Sequence, residues 1–187
     1  IIGDNRPRLY MTMAAVQCLG GVPVPLYQDA VANEMLFVLQ DAGIRFALVE
    51  DQEQVDKLLE LKEQMPQLEH VFYDDARGMR HYNQPFIHDI EELMAMGRIH
   101  NQNHPDFLDR EVVLGAPDDV SVMLYTSGTT GKPKGVCLTH NAFISAARGG
   151  VEFDRLTADE DILSYLPMAW VGDHLFSFAQ AMVTGFT

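Results

Sequence analysis

Tyr125, Thr126, Ser127, Gly128, Thr129, Thr130, Gly131, Lys132, Pro133, Lys134, Gly135 is the stretch whose reading decides the fold. Small, hydroxyl-bearing residues come first, and two lysines follow around a proline. Upstream, Val120, Ser121, Val122, Met123 and Leu124 alternate as a strand does; downstream, Val136, Cys137 and Leu138 make a second short strand. A helix is expected to start near Thr139 or Asn141. The turn is therefore held at both ends. Gly128, Gly131 and Gly135 permit backbone conformations closed to other residues and let N–H groups approach a ligand. Successive N–H groups in a concave turn form an anion nest. Thr126, Ser127, Thr129 and Thr130 add hydroxyl donors. Lys132 and Lys134 add charge, and Pro133 stiffens the path between them. The package suits a polyphosphate.

The spacing departs from a Walker A loop, which needs four residues between the glycine and Gly-Lys, then Ser or Thr. Here two residues separate Gly128 from Gly131, and Pro133 follows Lys132. The dinucleotide fingerprint is absent as well. A Gly/Ser/Thr-rich linker is the plain alternative. The flanking strands and the closing Lys132-Pro133-Lys134-Gly135 argue against it.

At these residues the chain resembles the adenylate-forming (AMP-binding) superfamily, which includes acyl-CoA synthetases, firefly luciferase and the adenylation domains of peptide synthetases. Two further stretches carry the resemblance. Tyr165, Leu166, Pro167, Met168, Ala169, Trp170 is similar to the family's element beside the acyl pocket. Gly3 to Pro7, with Gly20, Gly21, Val22, Pro23, Val24, Pro25 and Leu26, is similar to the opening of its large domain. The three occur in the family's order. Gly21 to Tyr27 and Tyr165 to Ala169 look most like bacterial long-chain fatty acyl-CoA synthetases.

The resemblance implies a function. A carboxylate attacks the α-phosphorus of Mg·ATP, pyrophosphate leaves, and coenzyme A takes the acyl group from the acyl-adenylate. ATP, Mg²⁺ and coenzyme A are the implied cofactors, and a fatty acid the implied partner. Residues 126–135 would hold the ATP phosphates. Trp170, Val171 and His174 would stand by the acid pocket, although relatives often carry other residues at 170 and 174. An aryl or other carboxylate–CoA ligase, or a carrier-protein adenylation domain, stays open. So does a non-catalytic nucleotide-binding homologue. The adenylation lysine is expected beyond Thr187.

The bulk properties agree with an ordinary globular domain. The 187 residues are 47% hydrophobic, with mean hydropathy −0.06. The formal net charge of −14 argues against a nucleic-acid or anionic-membrane surface. Cys18 and Cys137 are two lone cysteines, so a cytoplasmic setting is the default, with peripheral membrane association left open for the parent. The start at Ile1 inside an apparent strand and the stop at Thr187 suggest a piece of a longer protein, inactive by itself.

Read in order, the chain alternates α and β, giving an α/β fold of mostly parallel sheets flanked by helices. Residues 1–187 read as part of one large AMP-binding domain, with subregions 1–116 and 117–187 meeting near Gly115-Ala116-Pro117. Asn5 is expected to cap a helix with Pro7 in its first turn. Val31 to Ala42 is a second helix, Ile44 to Val49 a buried strand, Asp51 to Met65 an amphipathic helix and His70 to Tyr73 a strand. This is a parallel βαβ unit. Asp74 to Pro117 shows one helix starting near His88 or Asp89, and otherwise polar connection. Asn141 to Phe153 is a helix, Ile162 to Tyr165 a strand, and His174 to Val183 a helix. His100 and His104 have helical metal-ligand spacing, but lie among solvated residues with no third ligand in view. Trp170 could instead be a core anchor, and His174 an N-terminal helix residue.

Overall fold

The structure is a computed structural model, and it describes residues 1–127 and 132–186. Strands β1 (Phe46–Val49), β2 (His70–Tyr73) and β3 (Ile87–Asp89) form a parallel sheet in that order. Ala47 lies opposite Val71, and Phe72 opposite His88. Ile2 extends the sheet by single parallel bridges to Val49 and Leu26. The proline-punctuated segment 22–26 lies beside Ile2, and its Pro23 carbonyl accepts from the Met123 N–H.

Helices cover both faces. Strand residues Ala47, Val49 and Val71 point to α2 (Ala32–Asp41) and α3 (Gln52–Leu61), and pack with Met35, Leu39, Val55, Leu58 and Leu61. The alternate residues Leu48 and Phe72 point to α1 (Pro7–Cys18) and α4 (Ile90–Asn103), and pack with Leu9, Met13 and Ile90. Helix α3 forms as its spacing dictates: Val55, Leu58 and Leu61 are all fully buried. Each such side chain contributes about 1.5–3 kcal/mol of burial. Asp51 caps the helix by accepting from the Gln54 N–H.

The second half is a hairpin. Strands β4 (Val120–Thr126) and β5 (Lys134–Thr139) pair antiparallel, with Tyr125 opposite Gly135. The second sheet thus departs from the mostly parallel arrangement expected. Val122 and Leu124 face α6 (His140–Asp154), joining Phe143, Ala147 and Ala179 in a third core. Met123 and Tyr125, on the other face, pack against the first core. The hairpin is thereby wedged between α2 and α6. Thr139 caps α6, its hydroxyl accepting from the Ala142 N–H.

Four expectations need correction. Asn5 does not cap α1; Arg6 occupies that position without a side-chain bond, and Asn5 is engaged elsewhere. The region 74–117 is more ordered than a polar connection, since it holds β3 and α5 (Phe107–Val112). Ile162 to Tyr165 forms no strand: no described strand runs beside it, and Leu163 and Tyr165 are 81% and 73% exposed. The last helix begins earlier than His174. It runs as α7 (Val171–Asp173), a π-helical segment (His174–Ala179) and α8 (Gln180–Thr184). The rings of His100 and His104 lie 4.7 Å apart, tilted by 40°, near the end of α4, with Phe107 edge-on to His100.

Candidate functional site: a glycine-rich loop and two cavities

Strands β4 and β5 deliver the ends of the signature loop. Thr126 pairs with Lys134 at the tip of the hairpin. Thr126, Ser127, Lys132, Lys134 and Gly135 are exposed, and Pro133 is half-buried. Gly128, Thr129, Thr130 and Gly131 lie outside the described residues. Gly135 is needed for room rather than for an unusual backbone angle. A Cβ there would lie 3.0 Å from Met123 Sδ and 3.2 Å from Tyr125 Cζ.

The loop is tied to α2 at its base. The Tyr125 hydroxyl donates to Asp41 Oδ2 at 2.6 Å. Burial, and then the Asp41 carboxylate, push the Tyr125 phenol well above its usual range. Lys132 Nζ lies 5.8 Å from the centre of the Phe37 ring, a cation–π contact. Both partners stand on α2, so the loop's entry and exit share one rigid support.

Beside this base opens a cavity of about 300 Å³. Leu26 and Tyr27, then Tyr125, Thr126, Ser127 and Pro133, then Ala169 line it. The three stretches singled out in the sequence, more than 140 positions apart at their extremes, thus converge on one opening.

The structure separates the three residues expected at the acid pocket. Trp170 is 53% exposed and is no core anchor, and Val171 is also exposed. His174 is 2% exposed. Its Nε2 bonds to the Met168 carbonyl at 2.8 Å. Burial lowers its pKa below the ordinary value of 6.5. His174 lines a second cavity of about 430 Å³, together with Phe178 and Ala179 of the π segment, Phe143 and Arg148 of α6, and Ser121 of β4. Gln17 reaches across from α1 to bond Ser121 O and Oγ, both at 2.9 Å.

Sequence reasoning missed a polar knot at the start of the last helix. Asp173 is fully buried. The Tyr10 hydroxyl donates to its two oxygens at 2.8 and 2.9 Å. Asn5 Nδ2 reaches Asp173 Oδ1 at 3.1 Å, Ser164 Oγ at 2.7 Å and the Leu166 carbonyl at 3.0 Å. Burial first, with the Asp173 carboxylate assisting, pushes the Tyr10 phenol up to about 12. This knot fixes segment 164–174 against α1, and with it the positions of Ala169, Trp170 and His174. Its members lie up to 168 positions apart, so no local pattern announces it.

Among the described residues, no group of three or more His, Cys, Asp or Glu side chains could hold a metal ion. Among the same residues, no helix is long and apolar enough to cross a membrane.

The chain also matches known proteins. The family described as AMP-binding enzyme matches residues 1–187. The chain is 29% identical over 192 residues to a long-chain-fatty-acid–CoA ligase of Xenopus laevis, ACSBG2, covering 99% of this chain and 25% of that protein. It is 26% identical to the human long-chain-fatty-acid–CoA ligase ACSBG1, covering 94% of this chain and 24% of that protein. The chain therefore spans about a quarter of the length of these relatives. Among solved structures, acetoacetyl-CoA synthetase from Streptomyces lividans superposes with a TM-score of 0.72 at 18% identity, covering 100% of this chain and 29% of that one. The luciferase-like enzyme of the mealworm Zophobas morio superposes with a TM-score of 0.69 at 16% identity, covering 100% and 40%. At those identities the superpositions speak for the fold. The family match runs from the first residue to the last, and on it the chain belongs to the AMP-binding enzyme family.

Proposed function

We propose that this chain serves ATP-dependent activation of a carboxylic acid, foremost a long-chain fatty acid, first to an acyl-adenylate and then to acyl-CoA. The observation that carries the reading is the 300 Å³ cavity where Tyr27, the loop base and Ala169 meet. A carboxylate is a poor acyl donor because its leaving group would be oxide. Attack of its oxygen on the α-phosphorus of ATP releases pyrophosphate and leaves AMP as a good leaving group for the thiol of coenzyme A. The work assigned to this chain is on the pyrophosphate side: positioning and charge stabilisation. Lys132 and Lys134 supply positive charge. Thr126, Ser127, Thr129 and Thr130 supply hydroxyls, Gly128 and Gly131 supply the backbone shape, and Gly135 leaves room beside Met123 and Tyr125. The contacts of Tyr125 and Lys132 with α2 hold the described ends of the loop.

The second cavity fits the acid end of the same reaction. Its His174 is hydrogen-bonded to Met168, the neighbour of the Ala169 that lines the first cavity. Ligase names among the relatives, both long-chain-fatty-acid–CoA ligases, favour a fatty acid over an aryl acid. Residues 1–116 and 117–187 are proposed as two subregions of one catalytic domain, with the loop on the second. The test is Lys132→Ala combined with Thr129→Ala in the full-length protein, assayed by ATP–pyrophosphate exchange. A loss of about 10²–10³-fold is expected, the scale of removing a preorganised charge-stabilising donor. Unchanged exchange would remove the loop from the reaction.

A further inference from the structure

We propose that the acid activated by this protein carries a hydroxyl group on its chain, and that His174 Nδ1 accepts a hydrogen bond from that hydroxyl inside the 430 Å³ cavity. The inference rests on the acid-activation reading and refines its substrate.

The argument starts from the tautomer. A backbone carbonyl can only accept, so the 2.8 Å contact between His174 and the Met168 carbonyl requires a proton on Nε2. Burial disfavours the imidazolium, which leaves a neutral ring. A neutral ring with Nε2 protonated has a bare Nδ1, an acceptor without a donor. Among the described residues Nδ1 has no hydrogen-bond partner. Its ring lines the cavity, facing Phe143 at 6.0 Å between ring centres.

The remaining wall is mixed in character. Phe143, Ile144, Phe178 and Ala179 suit an alkyl chain. Arg148, on the same wall, is exposed and keeps its contact with water. A plain alkyl tail would cover Nδ1 and leave it unpaired. Leaving a buried acceptor unpaired is costly, whereas a hydroxyl satisfies it. A site that hydrogen-bonds a substrate hydroxyl discriminates against the analogue lacking it far better than an apolar pocket discriminates by size.

The experiment uses the full-length protein with stearate and a set of monohydroxystearates differing in hydroxyl position. The kcat/KM for each acid is read by ATP–pyrophosphate exchange, and calorimetry measures binding of the same acids. At least one hydroxy isomer is expected to exceed stearate by about ten- to a hundredfold, the worth of one buried hydrogen bond. His174→Phe is expected to bring that ratio to within about twofold. If no isomer exceeds stearate, or if the preference survives His174→Phe, the inference is overturned. Exchange with none of the acids would instead refute the activation reading. Calorimetry on the unaltered protein then decides the inference separately: hydroxy isomers that bind no tighter than stearate overturn it.

Discussion

Replacing Tyr10 by Phe tests the knot that anchors the last helix. The substitution removes one oxygen and keeps the ring, which stacks on Phe178 at 6.3 Å. The lost hydroxyl is the shortest donor to Asp173, at 2.8 Å. Asn5 keeps its bonds to Ser164 and Leu166. Asp173 keeps only Asn5 at 3.1 Å and Ser164 at 3.4 Å. A hydrogen bond to a buried charged group contributes about 1.5–3 kcal/mol. With a urea slope of about 1–3 kcal/mol per molar, the midpoint should fall by about 1 M. Trp170, the single tryptophan, lies three residues from Asp173 and reports the transition by its fluorescence. Tyr82→Phe is the control. Its hydroxyl bonds Asp56 at the surface, where water takes over, so a change within about 0.5 kcal/mol is expected. Equal losses at the two tyrosines, or a midpoint shift below about 0.2 M for Tyr10→Phe, would refute the reasoning. The raised Tyr10 pKa gives the alkaline sign. Its contribution is whole below pH about 10 and is lost as pH rises through about 12.

Two glycines should respond in opposite directions to alanine. Gly149, within α6, has open space where a Cβ would go, so Gly149→Ala should stabilise by about 0.5–1 kcal/mol in urea unfolding. At Gly3 a Cβ would lie 2.6 Å from Glu50 Cβ and 2.7 Å from Leu9 Cδ1, so Gly3→Ala should cost about 1–3 kcal/mol by overpacking. His174 sets an acid limit. Its folded pKa is depressed, so the stability it contributes is present above pH about 6.5 and lost as pH falls through the folded value. The melting temperature should therefore drop less between about pH 7 and pH 5 in His174→Gln than in the unaltered protein.

Much of the fold could be read from local pattern, because there local and global demands coincide. In α3, a capping aspartate, the three-to-four spacing of Val55, Leu58 and Leu59, and a later Pro66 all point one way. The apolar runs of β1 and β2 did the same for the parallel unit. Strand β3 was illegible because Ile87, His88 and Asp89 are too few and too polar to signal a strand; the register with β2 makes it one. Ile162 to Tyr165 shows the reverse case. Its residues favour extension, but extension becomes a strand only beside a partner. Asn5 looked like a cap because capping is the local option for an asparagine before a helix. Partners 159 to 168 positions away offered its amide more bonds than the helix end could. At the candidate site, the loop's chemistry was legible from residue type and order. Its tether through Tyr125 and Asp41, and the burial of His174 beside an exposed Trp170, depend on packing that no short stretch encodes.

The π-helical segment from His174 to Ala179 has a mechanical consequence. Asp173 at its head is locked into the knot, and Ala179 at its foot is locked into the core under α6. Each residue of an ordinary α-helix advances by about 100° around the axis. A π turn spreads each turn over more residues, so the angle it sets between the two anchors differs from that of a uniform helix. The segment behaves like a torsion bar clamped at both ends. Slackening the head clamp would be felt as rotation at Phe178, on the cavity wall and away from the site of the change.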